Sequence, residues 1–419
     1  MVNKLAIHGG EPTLTGDGSF NWPIIDSVSE NAVLNQLHTS ISIYDRSGVI
    51  EEFEDAFKDY HSRKYGLLAN SGTSAIFSMF EAINLMPGDE VICPVYTFHA
   101  SVSPMMYTGA IPVFADCDDQ GNISLESIAT KLTNKTKAVV VTHMWGVPAR
   151  DIEKIKEFCD KNNLWLLEDC SHAHGASIGG RKVGSFGHAA SWSLQGQKII
   201  TGGEGGIMLT DDHALYQRAL LQGHYNKRPK QELSKEDELQ PFFLTGMGLK
   251  LRAHPVATAL ALQQFKQLDW YVSQKQKYAE RFNGILRGIP FLGVPLEDKN
   301  SQNSWYAYNL MYDENAAHGV SREAFVGALI AEGLSEADIP GSTGPINNLP
   351  LFTQPQKILP RMYSKPIPAQ DDFPQAESFY GKIIKFPVWV RDEDSDVVDS
   401  YIKAIQKVSD YILTNKSLE

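Results

Sequence analysis

The fold is decided by two stretches, Ala138-Val139-Val140-Val141-Thr142 and Leu164-Trp165-Leu166-Leu167. Both are apolar throughout rather than alternating, which is typical of strands that are covered on both faces. Val91–Cys93 and Ile111–Phe114 are runs of the same kind, and amphipathic helical segments alternate with them between about residues 48 and 222. This order predicts an α/β fold with a mainly parallel central sheet wrapped by helices.

The chain of 419 residues is long enough for two domains. We expect an N-terminal arm over 1–47, a large domain over 48–253, a connecting helix over 254–286 and a smaller C-terminal α+β domain over 287–419. Two further segments break the pattern and predict loops. Residues 223–248 are polar, and residues 336–374 are rich in Pro and Gly, so the second segment fits a loop placed over a site.

Composition excludes several classes of protein. Lys and Arg number 38 against 50 Asp and Glu, giving a net charge of -12, so nucleic acid is not an expected partner. No stretch approaches the roughly 18 apolar residues of a membrane span, and no secretory signal is recognisable, which predicts a cytoplasmic location. The four cysteines form no C-x-x-C pair, so we expect reduced core thiols and no metal site.

A small polar cluster, Asn70-Ser71-Gly72-Thr73-Ser74-Ala75, opens an amphipathic helix directly after an extended segment. The unpaired N–H groups of such a helix N-terminus favour an anion, best a phosphate. The alternative is that Ser71 or Thr73 only caps the helix.

Two strand ends carry further candidates. Asp169 ends the run at 164–167, where α/β folds bind ligands, and a buried carboxylate there needs a positive partner such as a protonated ring nitrogen. His172 could hydrogen-bond the same ligand, or be a structural histidine. Phe98, at another strand end, could stack on a flat ring or lie in the core.

Lys198 lies in Ser193-Leu194-Gln195-Gly196-Gln197-Lys198, which a Gly-rich segment follows. A lysine held near apolar walls can lose its proton and act as a nucleophilic amine, whereas an ordinary surface lysine is the alternative. The motifs of dinucleotide, P-loop and zincin sites are absent, and the G-x-S-x-G at 175–179 has no helix to follow it, which disfavours a serine hydrolase. Together, these candidates could bind each part of pyridoxal 5'-phosphate. The helix N-terminus suits the phosphate, the carboxylate suits the pyridine nitrogen, the aromatic side chain suits the ring face and the amine suits the aldehyde.

With these motifs the sequence resembles the DegT/DnrJ/EryC1/StrS aminotransferases, also called sugar aminotransferases, which have the aspartate aminotransferase (fold type I) architecture. The likeness runs from about Gly48 to Val388. Its most specific parts are Ser71–Ala75, Pro94–Ala100, Glu168–Gly175 and Ser193–Gly206.

The resemblance implies roles for individual residues. Lys198 would form a Schiff base with the cofactor and move protons, and Asp169 would pair with the pyridine nitrogen. His172 would contact the phenolic oxygen and Phe98 would stack on the ring. The phosphate would be bound by Gly72, Thr73, Ser74 and Ser193.

Family members are usually homodimers with shared active sites, in which an Asn-Tyr-Arg segment of the neighbour reaches the phosphate. The corresponding residues here are Lys250-Leu251-Arg252. Lys250 would therefore replace the usual Asn. Arg252 could anchor a carboxylate or phosphate of a substrate, although a surface arginine is the alternative.

The implied activity is transfer of an amino group from Glu or Gln to a ketone on a keto-sugar, commonly nucleotide-linked, or on a keto-cyclitol. Both half-reactions would pass through Lys198 in ping-pong order. One alternative is a sugar dehydratase, but such relatives replace the lysine by histidine. Another is a catalytically silent sensor that binds the cofactor.

Overall fold

The computed structural model describes residues 4–296, 298–370 and 372–418. Its strands are β1 Tyr65–Ala69, β2 Glu90–Pro94, β3 Tyr96–Phe98, β4 Ile111–Ala115, β5 Thr136–Thr142, β6 Trp165–Asp169, β7 Ser177–Ile178, β8 Arg181–Lys182, β9 Ala189–Ser193, β10 Gly206–Thr210, β11 Leu292–Gly293, β12 Ser301–Gln302, β13 Tyr308–Tyr312, β14 Thr343–Pro345 and β15 Ile383–Phe386. Its helices are α1 Ser27–Thr39, α2 Gly48–Tyr60, α3 Gly72–Ala82, α4 Leu125–Thr130, α5 Ile152–Lys161, α6 His213–Gly223, α7 Lys227–Glu232, α8 Pro255–Lys266, α9 Leu268–Leu286, α10 Arg322–Ala331, α11 Pro350–Thr353, α12 Pro374–Lys382 and α13 Ser395–Asn415.

Seven strands form the central sheet in the order β1-β10-β9-β6-β5-β2-β4. Neighbours from β9 to β4 are parallel, and β10 alone runs antiparallel to both strands beside it. The predicted mainly parallel sheet is thus confirmed. Because parallel strands end at one edge, the last residues of β5, β6 and β9, namely Thr142, Asp169 and Ser193, lie along the same side of the sheet.

Burial explains why the deciding stretches are apolar on both faces. Residues 138–141 of β5 are at most 1% exposed, since helices cover the sheet on both sides. Phe53 and Phe57 of α2 are fully buried, and Ile76 and Phe80 of α3 are nearly so, and in each helix the two residues are four positions apart and share one face.

A second, three-stranded sheet has the order β11-β13-β15 and is covered by α9, α10 and α13. The apolar face of α13 buries Tyr401, Ile405, Val408 and Ile412. Residues 254–286, expected as one helix, form α8 and α9. The helical ladder tightens at the break, where the Gln267 amide donates to Gln264, three residues back.

The two expected loops are more structured than the sequence suggested. Residues 223–248 contain α7, whose Arg228 is 1% exposed because it pairs with buried Glu54. Residues 336–374 contain β14, which pairs antiparallel with β3. Among the described residues, every helix falls short of the length or the apolar character that a bilayer span requires.

Candidate active site

A cavity of about 460 Å³ opens where β5, β6 and β9 end. Most of the residues predicted from sequence meet there, although they are spread over more than 120 positions. The predicted residues in its wall are Gly72, Thr73, Phe98, Asp169, His172, Ser193 and Lys198. The wall also contains residues that the sequence did not indicate, among them Ser101, Tyr306, Asp338 and Lys385.

The N-terminus of α3 forms one end of the cavity. Ser71 caps the helix by accepting the Ser74 amide at 3.0 Å, so the expected cap is present. A Cβ on Gly72 would lie 2.5 Å from the Cβ of Ser193, and only glycine allows the helix to approach β9 so closely. The hydroxyl of Ser74 donates to Asn70 at 2.7 Å, and Ser74 is outside the cavity wall. The first turn and Ser193 therefore form a compact cradle for an anion.

Asp169 is a buried carboxylate at the end of β6. Its Oδ2 accepts a hydrogen bond from the Ser101 hydroxyl at 2.6 Å, and its Oδ1 accepts one from the Ser171 amide at 3.0 Å. The Ser101 hydroxyl is also 2.9 Å from that of Thr97. These hydrogen bonds fix the carboxylate and leave it able to bind a cation from the cavity. Ser101 directly follows the 94–100 motif, so its place in the sequence was the available signal.

Lys198 lies in the loop between β9 and β10. Burial lowers the pKa of its ammonium group to about 8, and the negative charge of Asp169 opposes this shift. The amine Nζ lies 4.6 Å from the centroid of the Tyr306 ring and has no hydrogen-bond partner among the described residues. The backbone is fixed by the Trp22 indole N–H, which donates to the Lys198 carbonyl at 2.9 Å. A sizeable neutral fraction near pH 8 makes this lysine a usable nucleophile.

His172 is buried and stacks on the Tyr306 ring, with centroids 4.0 Å apart and planes within 8°. Burial, helped by the nearby charge of Lys198, holds its pKa well below the usual value, so the imidazole is neutral. Its Nδ1 is buried and has no partner among the described residues. Tyr306 precedes β13, and no local pattern marks it for a site.

Pyridoxal 5'-phosphate fits these groups. The cavity has an anion cradle at one end and a carboxylate that can hold a protonated ring nitrogen. The unpartnered Nδ1 of His172 is an orphan buried atom of the kind that a ligand satisfies. Phe98, at the end of β3, is 39% exposed and forms part of the cavity wall, and a phenyl ring there suits stacking on a flat ring.

Lys250 and Arg252 lie away from this cavity in the single chain. They line a separate depression of about 420 Å³ together with Tyr44, Tyr225, Asn226 and Lys227. The Arg252 guanidinium stacks on Tyr44 at 5.0 Å and donates to the Ile43 carbonyl at 3.3 Å.

Comparison with known proteins agrees with this geometry. The model of the DegT/DnrJ/EryC1/StrS aminotransferase family matches residues 26–405. GDP-perosamine synthase of Escherichia coli O157:H7 is 34% identical over 302 residues, covering 72% of this chain and 76% of that protein. L-glutamine:2-deoxy-scyllo-inosose aminotransferase of Streptomyces fradiae is 32% identical over 348 residues, covering 79% and 80%.

A solved structure extends the match to the whole fold. The X-ray structure of the aminotransferase from Psychrobacter cryohalolentis superposes with a TM-score of 0.79 at 26% identity, covering 94% of this chain and 99% of that one. The chain therefore belongs to the DegT/DnrJ/EryC1/StrS aminotransferase family and is a pyridoxal 5'-phosphate-dependent aminotransferase.

Proposed function

We propose that this enzyme moves the amino group of Glu or Gln to the ketone of a keto-sugar, commonly nucleotide-linked, or of a keto-cyclitol. Two of its relatives support this substrate class, since one is a GDP-perosamine synthase and the other is an L-glutamine:2-deoxy-scyllo-inosose aminotransferase. One observation carries the assignment of the site. Lys198, with a pKa lowered to about 8, shares a cavity with the fixed carboxylate of Asp169 and with His172, whose Nδ1 has no hydrogen-bond partner among the described residues.

Lys198 is the residue that holds the cofactor and moves protons. The bound cofactor supplies an electron sink for the carbon that loses its proton. The neutral amine of Lys198 would take the proton from the α-carbon of the donor and pass it to C4' of the cofactor, and it would move a proton in the opposite direction when the acceptor ketone is aminated. Its lack of a hydrogen-bond partner among the described residues leaves the amine free for both tasks.

Asp169 and His172 orient the ring in this proposal. The Asp169 carboxylate, fixed by Ser101 and the Ser171 amide, keeps the ring nitrogen protonated. Neutral His172 offers its Nδ1 to the phenolic oxygen, and Phe98 covers one ring face. The phosphate is bound by Gly72, Thr73 and Ser193.

A second copy of the chain completes the site in this proposal. Large apolar side chains near the Lys250 depression are exposed, and a homodimer would bury them. They are Tyr225, Phe242, Leu244, Met247 and Leu249. Lys250 would then reach the phosphate in the neighbouring subunit. We also propose a cytoplasmic location, which suits the four free, buried cysteines.

Borohydride reduction followed by peptide mapping tests the role of Lys198. The label is expected on the peptide that contains Lys198, and a label on another lysine would contradict the proposal. The donor and acceptor require separate experiments. In a single turnover, glutamate or glutamine should change the absorbance of the bound cofactor to that of its pyridoxamine form. A suitable keto-sugar or keto-cyclitol should then restore the original absorbance.

The spectral experiment with amino donors also distinguishes an aminotransferase from a cofactor-binding sensor and from a dehydratase. A cofactor-binding sensor would show no spectral change with any amino donor. A dehydratase would release the sugar hydroxyl as water, although the presence of lysine at position 198 disfavours that route.

A further inference from the structure

The C-terminal part of the chain contributes an ion pair to the cavity wall. Lys385 of β15 lies with its Nζ 2.9 Å from Oδ2 of Asp338, and both residues line the cavity. Their side chains are 34% and 53% exposed, so a substrate can reach both. The positive charge of Lys385 is also close enough to His172 to help lower its pKa.

The backbone holds this pair in place. Asp338 and Lys385 exchange two backbone hydrogen bonds, at 3.1 and 2.8 Å. A few residues later, Thr343 pairs with Phe98 where β14 meets β3. The segment from Asp338 to Thr343 is therefore fixed at both ends and forms one rim of the cavity.

The charges of the cavity restrict where an amino acid can bind. Glutamate and glutamine share an α-carboxylate, which needs a cation or a set of hydrogen-bond donors. Among the described residues of the wall, the cationic side chains are Lys198 and Lys385. Lys198 is committed to the cofactor and to proton transfer, and Arg252 lies outside this cavity in the single chain.

We propose, on the basis of the function proposed above, that Lys385 binds the α-carboxylate of the amino donor and that Asp338 is its exchangeable partner. With the donor bound, the Lys385 ammonium group turns from Asp338 to the carboxylate. After the 2-oxo acid leaves, the ion pair forms again. The reformed pair presents an acceptor oxygen and N–H donors to the hydroxyl groups of the uncharged ring of the second substrate.

The exchange of partners would let one cavity bind two substrates of different charge, as an aminotransferase that works in ping-pong order must do. One cavity must bind first a charged amino acid and then an uncharged polyhydroxylated ring. A lone cation in the cavity wall would bind the first substrate well but would lack a counter-charge during the second half-reaction. The Asp338–Lys385 pair supplies that counter-charge.

The decisive experiment compares each donor with its decarboxylated analogue. The pairs are glutamine with 4-aminobutanamide and glutamate with 4-aminobutyrate. We expect Lys385→Met to lower kcat/KM of the donor half-reaction by about 10- to 100-fold, and to leave the analogue within about twofold of wild type. Lys385→Arg should restore most of the loss, and Lys382→Met, at the exposed end of α12, is the matched control.

Asp338→Asn provides an independent readout. Removing the competing carboxylate frees Lys385, so the apparent affinity for the donor should rise a few-fold while that for the acceptor falls. Equal losses for donor and analogue in Lys385→Met would overturn the inference and leave the proposed function intact. A wild-type enzyme that shows no spectral change with either donor would instead overturn the proposed function, and this inference with it.

Discussion

Two regions of this molecule bury charged groups, and they do so in opposite ways. Between α2 and α7, the Arg228 guanidinium binds both oxygens of buried Glu54 at 2.9 and 2.8 Å, and Glu232 and Arg46 extend the network. In the cavity, the charge of Asp169 opposes the lowering of the Lys198 pKa, yet the Lys198 amine and Nδ1 of His172 have no hydrogen-bond partner among the described residues. A saturated network stabilises the fold, whereas unsatisfied buried groups are free to bind a ligand.

The largest effect is expected from Lys198→Arg. Arginine keeps the positive charge but cannot supply a neutral amine, so turnover should fall by at least about 10²- to 10⁴-fold. Steady-state kinetics measures the loss. Lys182→Arg, whose lysine donates to the Gly175 carbonyl away from the cavity, should retain activity. Near-normal turnover of the Lys198→Arg enzyme would show that the reaction does not need the Lys198 amine, and it would contradict our description of the cavity.

In the network around Glu54 and Arg228, a substitution should lower the stability of the fold. Arg228→Met leaves buried Glu54 with Arg46 as its remaining charged partner, and we expect the free energy of unfolding to fall by about 3–5 kcal/mol. Chemical denaturation of the apoenzyme measures this change. Lys266→Met breaks an exposed pair with Glu52 and should cost less than about 1 kcal/mol. Equal losses in the two variants would contradict our interpretation of Arg228.

The pH dependence of cofactor uptake sharpens the description of the cavity. Uptake needs the neutral amine of Lys198, whose pKa is lowered to about 8. The rate at which the apoenzyme captures pyridoxal 5'-phosphate should therefore rise about tenfold per pH unit below 8 and level off above it. Because the Asp169 charge raises this pKa, Asp169→Asn should move the midpoint to lower pH. A midpoint near 10.5 in the wild-type protein would show that burial does not affect the amine.

The sequence predicts those parts of the fold and of the site that depend on local patterns, and it does not predict those that depend on contacts between distant residues. Apolar strands and their polar ends are local patterns, so the sheet and the positions of Asp169 and Ser193 followed from them. Tyr306, Asp338 and Lys385 reach the cavity through tertiary contacts such as the pairing of β14 with β3. No local pattern records such a pairing. The burial of Arg228 was missed for a similar reason, since a polar segment predicts exposure unless its distant partner Glu54 is known.

A smaller effect is expected from Ser101→Ala. The variant removes the hydrogen bond at 2.6 Å that fixes Asp169 and leaves the carboxylate itself in place. We expect kcat to fall by about tenfold with little change in KM for the donor, because the ring nitrogen is held less firmly. Ser103→Ala in the same segment is the control, since its hydroxyl contacts His99. A change confined to KM would contradict this role.

The smallest effect is expected from Trp22→Phe. This variant tests whether the N-terminal arm helps to position Lys198 in the cavity. The indole N–H of Trp22 donates to the Lys198 carbonyl, and its ring packs on Tyr271. Phenylalanine retains most of the packing and removes the donor, so a loss of one neutral hydrogen bond, about twofold to tenfold in kcat, is expected. The pH midpoint of cofactor uptake should shift as well, because the Lys198 loop is held less firmly. A variant with lower thermal stability but an unchanged kcat and midpoint would show that Trp22 only anchors the arm.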